Sequence, residues 1–221
     1  MPLSALRPQP DPAAADAWFA SDAGRALLGS ETELVAEAAR SRLGPAVLWF
    51  GPSVATPPRD AEGGLPLCLH GAAAGFRGDL RCGLPLPLAS ETCAVVIVQH
   101  LGDAGGDPAA LLAECERVLV PGGWLWLLAL NPLSPYRWRW RGQGLEAREP
   151  VTWRRRLRAA GLVPDSVTQG VGPTWERIPH ARQQDGVGLR AAFLLRAEKR
   201  RLPLTPLRRP RALALGAGTP A

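Results

Sequence analysis

DPAALLAECERVLVPGGWLWLLALNP, residues 107–132, is the stretch that decides the fold. Asp107 is a helix N-cap residue and Pro108 suits the first helical position, where its missing N–H costs nothing. Leu111, Leu112, Cys115, Val118 and Leu119 then share one stripe at helical spacing, with Glu114, Glu116 and Arg117 turned outward. Pro121-Gly122-Gly123 predicts a turn, and Trp124–Leu130 is uncharged throughout, as in a strand buried on both faces. Just upstream, Ala94–Val98 (AVVIV) is β-branched and uncharged as well. Strand, helix, turn and strand in this order build a parallel sheet through right-handed crossovers.

Working outward, Ala46–Phe50 (AVLWF) predicts another buried strand and Leu65–Leu69 a weaker one, because Pro66 suits only an edge or a strand start. The connection between Gly51 and Leu65 contains Pro57-Pro58, and the next, HGAAAG, is shorter still. Neither accommodates a crossover helix, so the N-terminal half of the sheet is expected to be contracted. Trp18–Leu43 is helical in spacing. Leu27, Leu28, Leu34, Val35 and Ala38 form its stripe, and Glu31, Glu33, Glu37 and Arg40 fall mostly off it. Ser30 and Glu33 resemble a capping box that starts a separate helix, which Gly44-Pro45 stops. Downstream, Val151–Ala160 predicts a basic amphipathic helix, and Leu162–Thr168 with Ala191–Ala197 a closing antiparallel pair. The expected organisation is a flexible, proline-rich stretch over 1–15, one α/β domain over 16–199 and a basic, proline-rich tail over 200–221.

The 221 residues are 46% hydrophobic and 21% charged, enough apolar material for one core. A net charge of +6 admits a polyanionic partner. Lys199 is the only lysine, however, and an arginine-dominated balance also follows from the codon usage of a GC-rich genome. Cys68, Cys82, Cys93 and Cys115 form no C-x-x-C pair and have no nearby histidines, which excludes metal-ligand spacing. No secretory leader is visible, and the longest apolar run falls far short of the ~20 residues a membrane span requires. These features predict a cytoplasmic protein with reduced thiols and no membrane partner.

The helix–turn–strand unit at 107–132 resembles the D-P-x-x-x-L-x-E-x-x-R-V-L-x-P-G-G pattern of the class I S-adenosylmethionine-dependent methyltransferases (the type 11-like group). Gly78-Asp79 with Leu84-Pro85-Leu86 resembles that family's G-D-A…L-P-F stretch, and Ser90–His100 its S-F-D-x-V…H strand. Trp153–Leu157 with Ala160-Gly161-Leu162, and RAEKRRLPLTP at 196–206, are similar to one bacterial branch. The resemblance covers residues 44–199, about three quarters of the chain. It implies a Rossmann-like sheet and S-adenosylmethionine as cofactor. The implied reaction is methyl transfer to an unknown, small-molecule acceptor.

On this resemblance Gly51, Ser53, Asp79, Leu80 and Gln99 are the cofactor-binding positions, Asp79 facing the adenine. His100, at the C-terminal end of the best strand, is the candidate general base. The pattern departs from the family where the cofactor lies. The run Val47–Ala55 keeps only Gly51 of the V-L-D-L-G-x-G-x-G motif. Trp49 stands at the acidic position, Ser53 and Ala55 replace glycines, and Pro52 removes a donor. No carboxylate closes the second strand, where Leu69-His70 stand, and Ala94 replaces the Asp of S-F-D-x-V.

Two further readings stand beside the enzyme. One is a catalytically inactive relative that keeps the fold as a binding or scaffold module, since fold does not fix function. The other is a basic, nucleic-acid-associated protein using Tyr136–Arg141 (YRWRWR), which alternates aromatic and cationic residues. That stretch also suits a lid over the site, or a loop anchored on the core by Trp138 and Trp140 with solvated arginines.

Overall fold

The structure is a computed structural model that describes residues 12–59, 66–72, 75–175 and 184–200. Residues 1–11 and 201–221, most of the two expected terminal stretches, lie outside the described residues. The order of elements is α1 (Pro12–Phe19), α2 (Asp22–Arg40), β1 (Val47–Gly51), β2 (Pro66–Ala72), β3 (Gly75–Gly78), β4 (Cys93–Gln99) and α3 (Pro108–Val118). β5 (Leu119–Leu130), a 3-10 turn (Pro135–Arg139), α4 (Pro150–Ala159), β6 (Val163–Pro164), β7 (Gln169–Val171), β8 (Gln184–Asp185) and β9 (Ala192–Glu198) follow.

One mixed sheet runs β3-β2-β1-β4-β5-β9-β7-β8, with β6 also paired to β9. Strands β2, β1, β4 and β5 are parallel, and β9 closes antiparallel on β5. The expected α/β, Rossmann-like sheet with a contracted N-terminal half and an antiparallel close is the fold observed. Period-two alternation sorts the strand side chains onto two faces. Trp49, Ile97, Trp126 and Leu128 pack under α1, α2 and Tyr136 on one face. Phe50, Val98, Leu127 and Ala129 pack under α3 and α4 on the other. Asp107 caps α3 by accepting from the Ala109 N–H, and Pro66 opens β2, as the sequence predicts.

Four local expectations are corrected. Residues 12–15, expected within the loose N-terminal stretch, start α1, because Ala15 is wholly buried. Ser30 does not begin a helix. α2 is continuous from its N-cap Ser21, and the Ser30 hydroxyl donates back to Leu27 O. Glu31 is not off the stripe but fully buried on it, between Leu27 and Leu34. Pro121–Gly123 lies inside β5 and makes no reversal: Gly122 N donates to Lys199 O and Lys199 N to Gly123 O.

Lys199 therefore sits where the last strand meets the end of α3. Its buried Nζ donates to Glu116 O and Leu119 O, both at 2.8 Å, with the Glu91 and Glu116 carboxylates at 3.7 Å. The cation satisfies carbonyls that the helix C-terminus leaves without intrahelical partners. Lys199→Met keeps the stem but strips the charge, and is expected to cost about 3 kcal/mol in urea unfolding followed by tryptophan fluorescence. A loss under about 0.5 kcal/mol would mean that the strand closure holds without this clasp.

Candidate functional site

In an open α/β sheet the ligand crevice lies at the C-terminal strand ends where strand order reverses, here between β1 and β4. That place holds a chain of hydrogen bonds between buried side chains. Trp49 Nε1 donates to Gln99 Oε1 at 3.2 Å, and Gln99 Nε2 to Glu31 Oε2 at 2.8 Å. Glu31 Oε1 then accepts from His100 Nε2 at 2.9 Å, and Asp103 Oδ2 accepts from His100 Nδ1 at 3.1 Å. Asp103 Oδ2 also takes the backbone N–H of Leu130 at 2.8 Å, joining the cluster to the end of β5. The Phe19 ring of α1 lies against the imidazole at 5.1 Å between centroids.

Both ring nitrogens of His100 face carboxylate oxygens, an arrangement that favours the imidazolium. Burial opposes that charge, but the facing Glu31 and Asp103 carboxylates outweigh it and raise its pKa to about 10. Burial pushes the Asp103 carboxyl above its usual range, and the His100 cation pulls it part of the way back. A group already doubly bonded and fully enclosed has no lone pair for a substrate. The expected general base is thus an internal cation. Its backbone is left-handed, with φ 56°, which aims the ring back at α2.

The other expected site residues are not brought together. Gly51 ends β1, but a Cβ built there would lie 2.1 Å from the Trp49 ring, so the indole fills the space over the strand end. His70, opposite Gly51 on β2, donates its Nδ1–H to Gly51 O at 3.2 Å and packs edge-on against Trp49. Ser53 is exposed and bonded to Asp16 of α1 at 3.1 Å. Gln99 is committed to Trp49 and Glu31.

Asp79 and Leu80 require a correction. A parallel third strand would deliver them to the same edge as Gly51. Only residues 73–74 separate β2 from β3, however, so the two strands form an antiparallel hairpin. Asp79 is carried back along β2, where Oδ2 accepts from Cys68 N at 2.7 Å, and Leu80 is exposed beside it.

The space left at the switch point, bounded by Asp16, Phe19, Gly51, Pro52, Gly71, His100, Leu101 and Ala104, is about 20 Å³. That is room for about one water molecule. A larger cavity of about 280 Å³ lies farther out, between the end of β2 and the 101–108 loop, walled by Phe76, Leu84, Leu101 and Leu111. Sequence reasoning missed Glu31, Asp103 and the covering α1. Glu31 was legible by spacing, four residues after Leu27 and four before Val35. Asp103 carried no signal beyond its loop.

No protein-family model and no curated protein matches the chain. Among solved structures, a Thermotoga maritima S-adenosylmethionine-dependent methyltransferase, described as a possible histamine N-methyltransferase, superposes with a TM-score of 0.54. It is 16% identical, over 84% of this chain and 94% of that one. Geranyl diphosphate C-methyltransferase from Streptomyces coelicolor, bound to S-adenosyl-L-homocysteine, gives 0.52 at 16% identity, over 77% and 79% of the chains. A chain from a structure described as the complex of the Haloferax volcanii Trm112 methyltransferase activator with a methyltransferase gives 0.50 at 17%, over 83% and 96%. The fold is that of the S-adenosylmethionine-dependent methyltransferases. Among the described residues no helix is long and apolar enough to cross a membrane.

The His100 pKa sets the sign of a pH effect. A cation whose folded pKa lies above its unfolded 6.5 stabilises fully below pH 6.5, and that contribution is lost as pH rises through about 10. Urea midpoints are expected to fall across this window. His100→Asn tolerates the left-handed backbone but carries no charge; it should flatten the profile and lower stability at neutral pH by about 3 kcal/mol. A wild-type midpoint that is level from pH 6.5 to 10 would contradict the buried imidazolium.

Proposed function

We propose that this chain is a methyltransferase-fold protein that works as a binding module and does not catalyse methyl transfer. The observation that carries the reading is the 20 Å³ left at the β1–β4 switch point, under α1 and over the Trp49 indole. Known ligand pockets span roughly 300–1,000 Å³, so an extended nucleoside with an amino-acid arm does not fit there. The donor set points the same way. The end of β2 offers His70, already bonded to Gly51 O, in place of a carboxylate able to grip a ribose diol.

A second reading, methyl transfer to a small-molecule acceptor, draws on the 280 Å³ cavity. It shares Gly71, Leu101 and Ala104 with the walls of the closed crevice. Displacement of α1 would join the two spaces, and methyl transfer needs positioning more than a dedicated nucleophile.

Calorimetric titration of S-adenosylmethionine, S-adenosylhomocysteine and adenosine into the full chain separates the readings. The expected result is no saturable heat from any of them up to millimolar concentration. Micromolar binding of either cofactor form would sink the binding-module reading and support catalysis.

A further inference from the structure

The fold divides the alternating stretch Tyr136–Arg141 into two sets. Tyr136 and Trp140 are buried in the core under α1 and α2, Tyr136 donating its hydroxyl to Ala23 O at 2.9 Å. Trp138 faces outward and is 58% exposed, with the guanidinium carbons of Arg137 and Arg141 at 5.3 and 5.1 Å from its ring centroid. Arg139 lies between Tyr136 and Trp175, 5.4 Å from each ring, and donates to Trp175 O at 2.9 Å. Trp175, from a distant part of the chain, is itself 54% exposed. Exposed Leu133 flanks the turn, and exposed Leu189 is tied to it by the bond from the Ser134 hydroxyl to Leu189 O.

Two large indoles left in water on one edge, interleaved with three guanidiniums, form an unusual surface for a protein acting alone. Among the described residues Arg137, Arg139 and Arg141 form no ion pair with a carboxylate. Within the described residues their charge is uncompensated, in a chain whose net charge is +6. The required partner carries flat apolar faces and negative charge in alternation.

We propose that this patch binds single-stranded nucleic acid, with bases stacked on Trp138 and Trp175 and phosphates drawn to Arg137, Arg139 and Arg141. Single strands expose base faces that a duplex keeps stacked, and stacking with guanidinium support tolerates any sequence. Arg139 ties Trp175 to the buried Tyr136, and Trp138 sits in the same turn between Arg137 and Arg141, so the platform is largely preorganised by the buried Tyr136 and Trp140. The inference rests on the binding-module reading and names its partner. The cofactor titration above has its own outcome, so the two ideas fail separately.

The test is fluorescence anisotropy of the full chain with a labelled mixed-sequence twelve-nucleotide RNA, the matching DNA and the corresponding duplex. Phosphatidylcholine–phosphatidylserine vesicles are titrated in parallel. Single strands are expected to bind saturably and more tightly than the duplex, and a preference between RNA and DNA identifies the natural source. Trp138→Ala and Trp175→Ala, both at exposed positions, should each weaken binding about tenfold while leaving the thermal melt unchanged. Arg137→Gln with Arg141→Gln should reduce the slope of log affinity against log salt by roughly one to two. The proposal is overturned if no single strand binds at low salt, or if binding survives both tryptophan substitutions unchanged. Tryptophan-dependent binding to vesicles but not to oligonucleotides would overturn it in favour of a lipid surface.

Discussion

The Glu31–His100 ion pair, with Asp103 on the far side of the imidazole, is the contact on which the arrangement of the domain turns. It joins α2, the end of β4 and the start of β5's outgoing loop in one fully buried cluster. Three ionisable groups taken out of water are costly; the imidazolium offsets part of the charge of the two carboxylates, Arg148 also acts on Asp103, and Asp103 Oδ1 is left without a hydrogen-bond partner among the described residues. Removing one member leaves the others charged and unsolvated. Such a cluster specifies how α2 seats on the sheet more than it adds net stability. The seat matters because α2 carries α1 with it, and α1 places Phe19 and Asp16 over the strand ends.

The same cluster accounts for the state of the switch point. A cofactor crevice in this fold needs small residues and free polar groups at the strand ends. Here the indole of Trp49 occupies the space over Gly51, and its N–H is satisfied through Gln99 by Glu31. The polar groups that face the crevice are bonded to one another. Contraction of the chain acts in the same direction. A two-residue link between β2 and β3 cannot support a crossover, so the strand reverses and Asp79 moves away from the sheet's C-terminal edge.

The proposed function rests on what the fold leaves outside. The loop after β5 anchors itself through Tyr136 and Trp140, leaves Trp138 exposed and holds Trp175 through Arg139. In the proposed role the methyltransferase sheet is a rigid support, and the chemistry of recognition lies in stacking and charge on its rim.

Local chemistry made much of the fold legible. Uncharged runs at Ala94–Val98 and Trp124–Leu130, the Asp107-Pro108 cap, and Pro66 at a strand start each fix a conformation through backbone and burial requirements that operate within a few residues. Short connections around Pro57-Pro58 and HGAAAG likewise determined that the N-terminal half of the sheet would be contracted. What only the tertiary structure decided was where polar side chains end. Glu31 and His100 are 69 positions apart, and Asp79 lies back beside Cys68 because of a hairpin reversal. Trp138 and Trp140 look alike in sequence, yet one is buried and the other exposed. Partners of buried charges and the facing of a single indole depend on which distant elements pack together, and local propensity carries no information on that.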